Sequence, residues 1–257
     1  MKKLQGKARS GNQSTKKVLF CPDVHIPYHD KRAWNLFLKT AEGFQPDILV
    51  VMGDFGDFWC VSSHSKNPTR ELNLDSELKL VNNELDKLDS LGCSQKIFIE
   101  GNHEDRMRRY LQDKAPELFG LIGVEKLFKL DDRGWEHISY KESTKLGSLY
   151  MTHDIGISTR YAVYRALECF MHSNVTCHTH RLALIVEGDA TGKPMVAASF
   201  GWLGDTEQVD YMHRVKAKRN WALGFGVGHL DEDGTVFLSP IPIVGYKCCV
   251  EGKIYKA

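Results

Sequence analysis

Three apolar runs of strand length, KVLFCPD (17–23), DILVVMGD (47–54) and KIFIEGN (96–102), are separated by segments of helical period. Each run stops at a cluster of acids, histidines or asparagine, and this recurrence constrains the chain more than any other feature. A strand without polar alternation is buried on both faces, which belongs to βαβ units around a parallel sheet. The intervening segments agree. Residues 30–43 put Trp34, Leu36, Phe37 and Ala41 on one helical face, and 72–91 carries leucines at 74, 78, 80, 85 and 88. From about 135 the rhythm changes to short strands: HISYKE, GSLYMTH (147–153), NVTCHTH (174–180), LALIVEG and MVAASF, with one helix near 158–172. DEDG at 231–234, between LGFGVGHL and TVFLSPI, predicts a hairpin turn.

A chain of 257 residues buries a substantial core, and a single domain over 17–257 is expected. The first 17 residues carry Lys2, Lys3, Lys7, Arg9, Lys16 and Lys17 with no acid, so 1–16 reads as a basic, flexible tail. Net charge is only +1, which argues against a global field for nucleic acid, membrane or an acidic partner. No apolar stretch reaches the roughly 18 residues needed to cross a bilayer, and the N-terminus has no apolar core of a secretory signal. The seven cysteines form no CxxC pair, and adjacent Cys248 and Cys249 are poorly placed to bond. A reduced, cytoplasmic protein is the expectation.

The chemistry collects at the strand ends. The runs end in Asp23-Val-His25, in Gly53-Asp54-Phe-Gly-Asp57 and in Gly101-Asn102-His103-Glu104-Asp105; later strands end in Thr152-His153-Asp154 and Cys177-His178-Thr179-His180. In open α/β sheets the carboxyl ends of strands form the ligand crevice. Turns use Gly, Asn, Asp or Ser and have no need of so many histidines. Side chains two apart on a strand point to one side, so Asp23 with His25, and His178 with His180, are each expected to aim at one point. The same period turns the Cys177 thiol away into packing. Carboxylate, imidazole and amide oxygen together suit divalent ions such as Mn²⁺, Fe²⁺ or Zn²⁺.

Asp-x-His, Gly-Asp-x-x-Asp, Gly-Asn-His-Glu, a lone His and x-His-x-His, in that order, resemble the calcineurin-like metallophosphoesterases. The resemblance covers 18–180 through its motifs. It implies an α/β (α+β) four-layer αββα sandwich, two central mixed β-sheets flanked by helices. It also implies two divalent metal ions, Mn²⁺ foremost with Fe, Zn, Ni or Co as alternatives. By the resemblance, Asp23, His25, Asp54 and His180 hold one ion, and Asp54, as the bridge, with Asn102, His153 and His178 holds the second. A metal-bridging hydroxide is then the nucleophile on phosphorus. His103 becomes general acid or an electrostatic clamp, oriented by Asp57. The family's usual Gly after the lone His and before the paired ones is replaced by Asp154 and Cys177, and Asp154 is an extra acceptor candidate. The Ser/Thr protein phosphatases of this superfamily carry an Arg directly after the second Asp; Phe58-Trp59 stands there instead and argues against that subfamily.

For the substrate phosphate, Arg106 is the first cationic candidate, followed by Arg108 and Arg109. Tyr28, His29 and His64 are the nearest other candidates for substrate contact. Trp59, Trp202 and Tyr211 are candidates to stack on a base, and YMHRVKAKRNW (211–221) is the one basic and aromatic run outside the tail. The leading expectation is a phosphomonoesterase for small substrates such as nucleoside or deoxynucleoside monophosphates. The alternative is a phosphodiesterase or nuclease, with nucleic acid a second-choice partner because near-neutral charge gives little backbone affinity. A non-enzymatic scaffold ranks last, since every ligand position is kept. No membrane partner is expected.

Overall fold

The structure is a computed structural model that describes residues 15–66, 73–208 and 221–257. The basic tail up to residue 14, Tyr211 and the run 211–220 lie outside the described residues.

The three apolar runs form β1 (Lys16–Cys21), β2 (Ile48–Val51) and β3 (Gln95–Ile99), separated by α1 (Lys31–Phe44) and α2 (Leu74–Asp89). Asp30 starts α1 by accepting from the Arg32 and Ala33 N–H groups at 2.9 and 3.0 Å. After β3 come α3 (Asp105–Lys114), α4 (Val124–Leu127) and β4 (Glu136–Ile138), then β5 (Thr144–Leu146), β6 (Leu149–Met151), α5 (Ala162–Phe170) and β7 (Asn174–Val175). The chain finishes with β8 (Leu182–Gly188), β9 (Pro194–Phe200), β10 (Gly224–Leu230), β11 (Val236–Pro242), β12 (Lys247–Val250) and β13 (Lys253–Lys256).

Two mixed sheets result. One runs β11-β10-β1-β2-β3-β4, parallel from β1 to β4 and antiparallel at β10 and β11. The other runs β5-β6-β7-β9-β8, and β12-β13 is a separate hairpin. The alternation of β1 sorts its residues between layers. Val18 and Phe20 join Ile48, Val50, Met151 and Phe200 in the core between the sheets, with the Phe20 and Phe200 rings 4.9 Å apart. Leu19 and Cys21 face the opposite way, into a core shared with Trp34, Phe37, Val81 and Leu85 of α1 and α2. Helix α5 covers the outer face of the second sheet through Val163 and Leu167 on Ala197. The order helix, sheet, sheet, helix is the four-layer sandwich that the family resemblance implies.

Two local expectations change and a third holds. Leu80 is 45% exposed, because Leu85, Leu88 and Val81 supply the buried face of α2. The run 174–180 is a strand only over Asn174–Val175, so its histidines lie beyond the sheet. The DEDG turn does close a hairpin, with Gly234 N–H on the Asp231 carbonyl at 3.0 Å and Asp231 N–H on that of Thr235 at 2.8 Å. All seven cysteines are free, and Cys177 is buried in the inter-sheet core.

Candidate metal centre

The loops after β1, β2, β3, β6 and β7 meet at one edge of the sandwich. Their backbones bond to one another before any side chain is considered. Val24 and His25 N–H both donate to the Asp54 carbonyl at 2.9 Å, and Leu203 N–H donates to that of Asp23 at 2.7 Å. Glu104 ties two loops together. Its Oε2 accepts from Asp54 and Gly101 N–H, both at 2.8 Å, and its Oε1 accepts from Phe55 and Gly56 N–H at 2.8 and 2.9 Å. The two motif glycines explain themselves here. Gly53 has φ +98°, and a Cβ on Gly101 would lie 2.1 Å from Asp54 Oδ1.

The nominated ligands are brought together, but not by strand pleating. His25, Asp54, His178 and His180 have φ of 59°, 51°, 66° and 56°, the left-handed region that non-glycine residues avoid. Left-handed backbone breaks the period of two. His178 and His180 therefore do not aim at one point. His180 gathers with Asp23 and His25, whereas His178 gathers with Asp54 and His153, and in each group the donor atoms lie within 4.8 Å of one another.

Asp54 sits between the groups. Its Oδ1 accepts from His103 N–H at 2.8 Å, and its Oδ2 is 3.4 Å from His153 Nε2, 3.8 Å from His103 Nε2 and 4.0 Å from His25 Nε2. His153 Nε2 is also 3.1 Å from Asn102 Oδ1, while its Nδ1 donates to the Met52 carbonyl at 2.8 Å. His180 Nε2 stands 3.1 Å from His25 Nε2 and 2.9 Å from Asp23 Oδ2, an oxygen that accepts no well-angled hydrogen bond. Buried carboxylate oxygens, imidazole nitrogens and an amide oxygen, turned inward on each other, are a donor set that fits divalent cations.

The electrostatics agree. Burial pushes the Asp54 carboxyl up, but His103, His153 and His25 outweigh it and hold it well below the usual carboxylate range. Burial lowers His153, yet Asp54 beside it raises it to about 10. Burial pushes His103 and His180 down to about 4, with Arg106 adding to the effect at His103. Both of those imidazoles are neutral at pH 7.

A third group joins His25, Asp57 and His103. Asp57 Oδ2 is 3.2 Å from His25 Nδ1 and 3.1 Å from His103 Nδ1, and its Oδ1 accepts from Arg106 Nη1 at 3.1 Å. Arg106 is only 7% exposed, and its Nη2 lies 2.9 Å from His103 Nε2. Arginine only donates, so His103 Nε2 is the acceptor and Nδ1 carries the proton. The Arg106 guanidinium is thus turned onto Asp57 and His103. Arg108 and Arg109 pair with Asp105.

The other candidates lie around this core. His64 stacks on the buried Trp59 at 6.3 Å. His29 is buried edge-on to Trp34, and Tyr28 lines a small cleft with Cys60 and Glu77. Asp154 accepts from Gly156 N–H at 2.6 Å. Phe58 is fully buried and stacks on Phe128 at 5.6 Å, so nothing at that position reaches the crevice. Trp202 is also buried and is no free platform for a base. Sequence reasoning named Glu104 only within its cluster and Trp221 only within the run 211–221, and gave neither a role at the centre. Glu104 carried a signal as an acid inside Gly-Asn-His-Glu; Trp221 carried one only as the end of the basic and aromatic run 211–221, which does not point to His180.

A family model for calcineurin-like phosphoesterases matches residues 16–214. Among curated proteins, the chain is 28% identical over 262 residues to the Gene 54 protein of Mycobacterium phage D29, covering 94% of this chain and 99% of that one. It is 25% identical to the Gene 54 protein of Mycobacterium phage L5, with the same coverage. Among solved structures, it is similar to Vacuolar Protein Sorting 29 from Cryptosporidium parvum, with TM-score 0.48, 14% identity and 94% and 95% of the two chains covered. It is also similar to Yfce, a phosphoesterase from E. coli, with TM-score 0.41, 16% identity and 88% and 92% covered.

Proposed function

The chain belongs to the calcineurin-like phosphoesterase family, and on that premise we propose that it is a hydrolase that cleaves a phosphate ester with two divalent cations. One observation carries the reading: seven side chains from five loops converge on one buried spot, four of them at left-handed backbone. Asp23, His25, Asp54 and His180 would hold one cation; Asp54, Asn102, His153 and His178 would hold the other. Bound there, the pair supplies charge neutralisation at the phosphoryl oxygens and an acidified water.

The protein's own groups do the rest. His153 is fixed by its bond to the Met52 carbonyl. His103 is neutral, protonated on Nδ1, and receives Arg106 on Nε2. That arrangement supports an electrostatic clamp, in which His103 and Asp57 hold the Arg106 guanidinium and its charge stabilises the phosphoryl group. For His103 to act as general acid, Arg106 would first have to release Nε2 and that nitrogen would have to take up a proton. Buried Phe58, where protein phosphatases carry a clamping Arg, supports a small substrate, and a nucleoside or deoxynucleoside monophosphate is our first choice. Mn²⁺ is the first choice of cation, and the cytoplasm the expected compartment.

The test compares p-nitrophenyl phosphate, its bis-ester, nucleoside monophosphates and single-stranded DNA with Mn²⁺. Monoester preference that disappears in Asp54→Asn while the fold persists is expected. Preference for the bis-ester or DNA moves the reading to a diesterase, and full activity in Asp54→Asn or in excess chelator refutes the metal mechanism.

A further inference from the structure

His180 is held unlike His25 and His153. His153 has a hydrogen-bond partner on Nδ1, the nitrogen away from Asp54, and His25 has Asp57 on Nδ1. His180 points Nε2 at Asp23 and His25, but its Nδ1 is buried with no hydrogen-bond partner among the described residues. What holds the ring is aromatic. Trp202 stacks on it at 4.6 Å and 9°, Trp221 meets it edge-on at 4.3 Å and 75°, and the two indoles are 4.9 Å apart.

The clamp is built into the backbone. Trp202 bridges to Asp23 on one side and to Leu223 on the other. Ala222, next to Trp221, donates its N–H to the His180 carbonyl at 2.9 Å and accepts from Trp202 N–H at 3.2 Å. Gly204 leaves room for the indole, since a Cβ there would lie 2.1 Å from the Trp202 ring. One unit therefore joins Asp23, His180 and both tryptophans.

A hydrogen bond on the distal nitrogen both orients a ligating imidazole and strengthens it as a donor. Stacking orients the ring without adding that strength. Resting on the two-cation reading above, we propose that Trp202 and Trp221 replace the missing hydrogen bond of His180 and make the two cation sites unequal. The site of Asp54, Asn102, His153 and His178 fills first. The site of Asp23, His25 and His180 fills second, and its affinity depends on the tryptophan clamp.

The experiment is equilibrium dialysis of the metal-free full-length protein against Mn²⁺, with bound ions counted by elemental analysis. Wild type binds two ions, the second more weakly. Trp221→Ala weakens the second by about 10–100-fold and leaves the first unchanged. Trp221→Phe retains most of the affinity. Thermal unfolding in chelator shows whether each variant is folded, and Trp221→Leu keeps the apolar volume if Trp221→Ala is not. Unchanged second-ion binding in the alanine or leucine variant overturns the proposal, as does equal loss of both ions. A wild type that binds fewer than two ions removes the two-cation reading as well.

Discussion

Gly101→Ala isolates the contact on which the centre is built. Gly101 is not in the left-handed region, so its backbone accepts alanine and only the added methyl acts. That methyl would lie 2.1 Å from Asp54 Oδ1 and 2.4 Å from Asp54 N. Rotating the Asp54 side chain relieves only the first clash and gives up the 2.8 Å bond from His103 N–H. Relieving the second separates the loops and breaks at least one of the 2.8 Å bonds that Glu104 Oε2 receives from Asp54 and Gly101 N–H. At least two hydrogen bonds to carboxylates are lost, each about 1.5–3 kcal/mol, so the expected destabilisation is about 3–6 kcal/mol. At roughly 2–4 °C per kcal/mol for a chain of this size, Tm falls by about 6–24 °C. Calorimetry in excess chelator measures this free of cation effects, and Mn²⁺ dialysis should show binding lost with Asp54 displaced. Gly188→Ala, with its nearest neighbour at 3.9 Å, is the neutral control. A Gly101→Ala protein within about 2 °C of wild type that still binds Mn²⁺ would refute the reasoning.

Three further outcomes are expected. Burial, with Asp57 nearby, raises Glu77 to about 8 where it accepts from Phe58 N–H. The folded state then holds a proton that the unfolded chain releases near pH 4.5, so stability from this group is full below about 4.5 and lost as pH rises towards 8. Glu77→Gln should remove a penalty of about 3 kcal/mol at pH 7, and the Tm difference from wild type should grow from pH 5 to pH 8; a constant difference contradicts it. Arg106→Lys removes the contact to His103 Nε2 and should lower kcat by about 10²-fold with Mn²⁺ binding unchanged, whereas a purely KM effect would mark Arg106 as a substrate contact alone. Phe20→Ala empties the space against Phe200 and should cost about 3–5 kcal/mol in denaturant unfolding, with a loss below about 1 kcal/mol as the contrary result.

The parallel part of the first sheet was legible because apolar runs such as DILVVMGD, set between helical segments, fit strands buried on both faces, whereas the four-layer order came with the family resemblance. The gathering of Asp23, His25, Asp54 and His153 was legible because strand ends share an edge. The way they gather was not legible in the spacing of the residues and entered only with the family resemblance. Period-two reasoning paired His178 with His180, and the left-handed φ of both residues separates them onto different groups. Local spacing carries no signal for that, since the backbone turn is imposed by loops that meet only in the folded chain. Arg106 was visible as a charge, but its approach to Asp57 and His103 depends on how α3 packs. The pairing of Trp221 with His180 joins residues whose proximity is set by β9 and β10, beyond the reach of any local pattern.

The central sheet also dictates a timetable. β1 pairs with β2 soon after both exist, but its other edge waits for β10, with Lys17 opposite His229. Until then a nascent chain carries an unpaired strand edge that is apolar over Val18–Cys21, which invites association with other chains. Trp202 bonds to Ala222 and to Gly224 at the start of β10, so the His180 clamp closes in the same late step. Cation binding should therefore be among the last properties the chain acquires, slowed by the long loop closure that joins its first strand to its tenth.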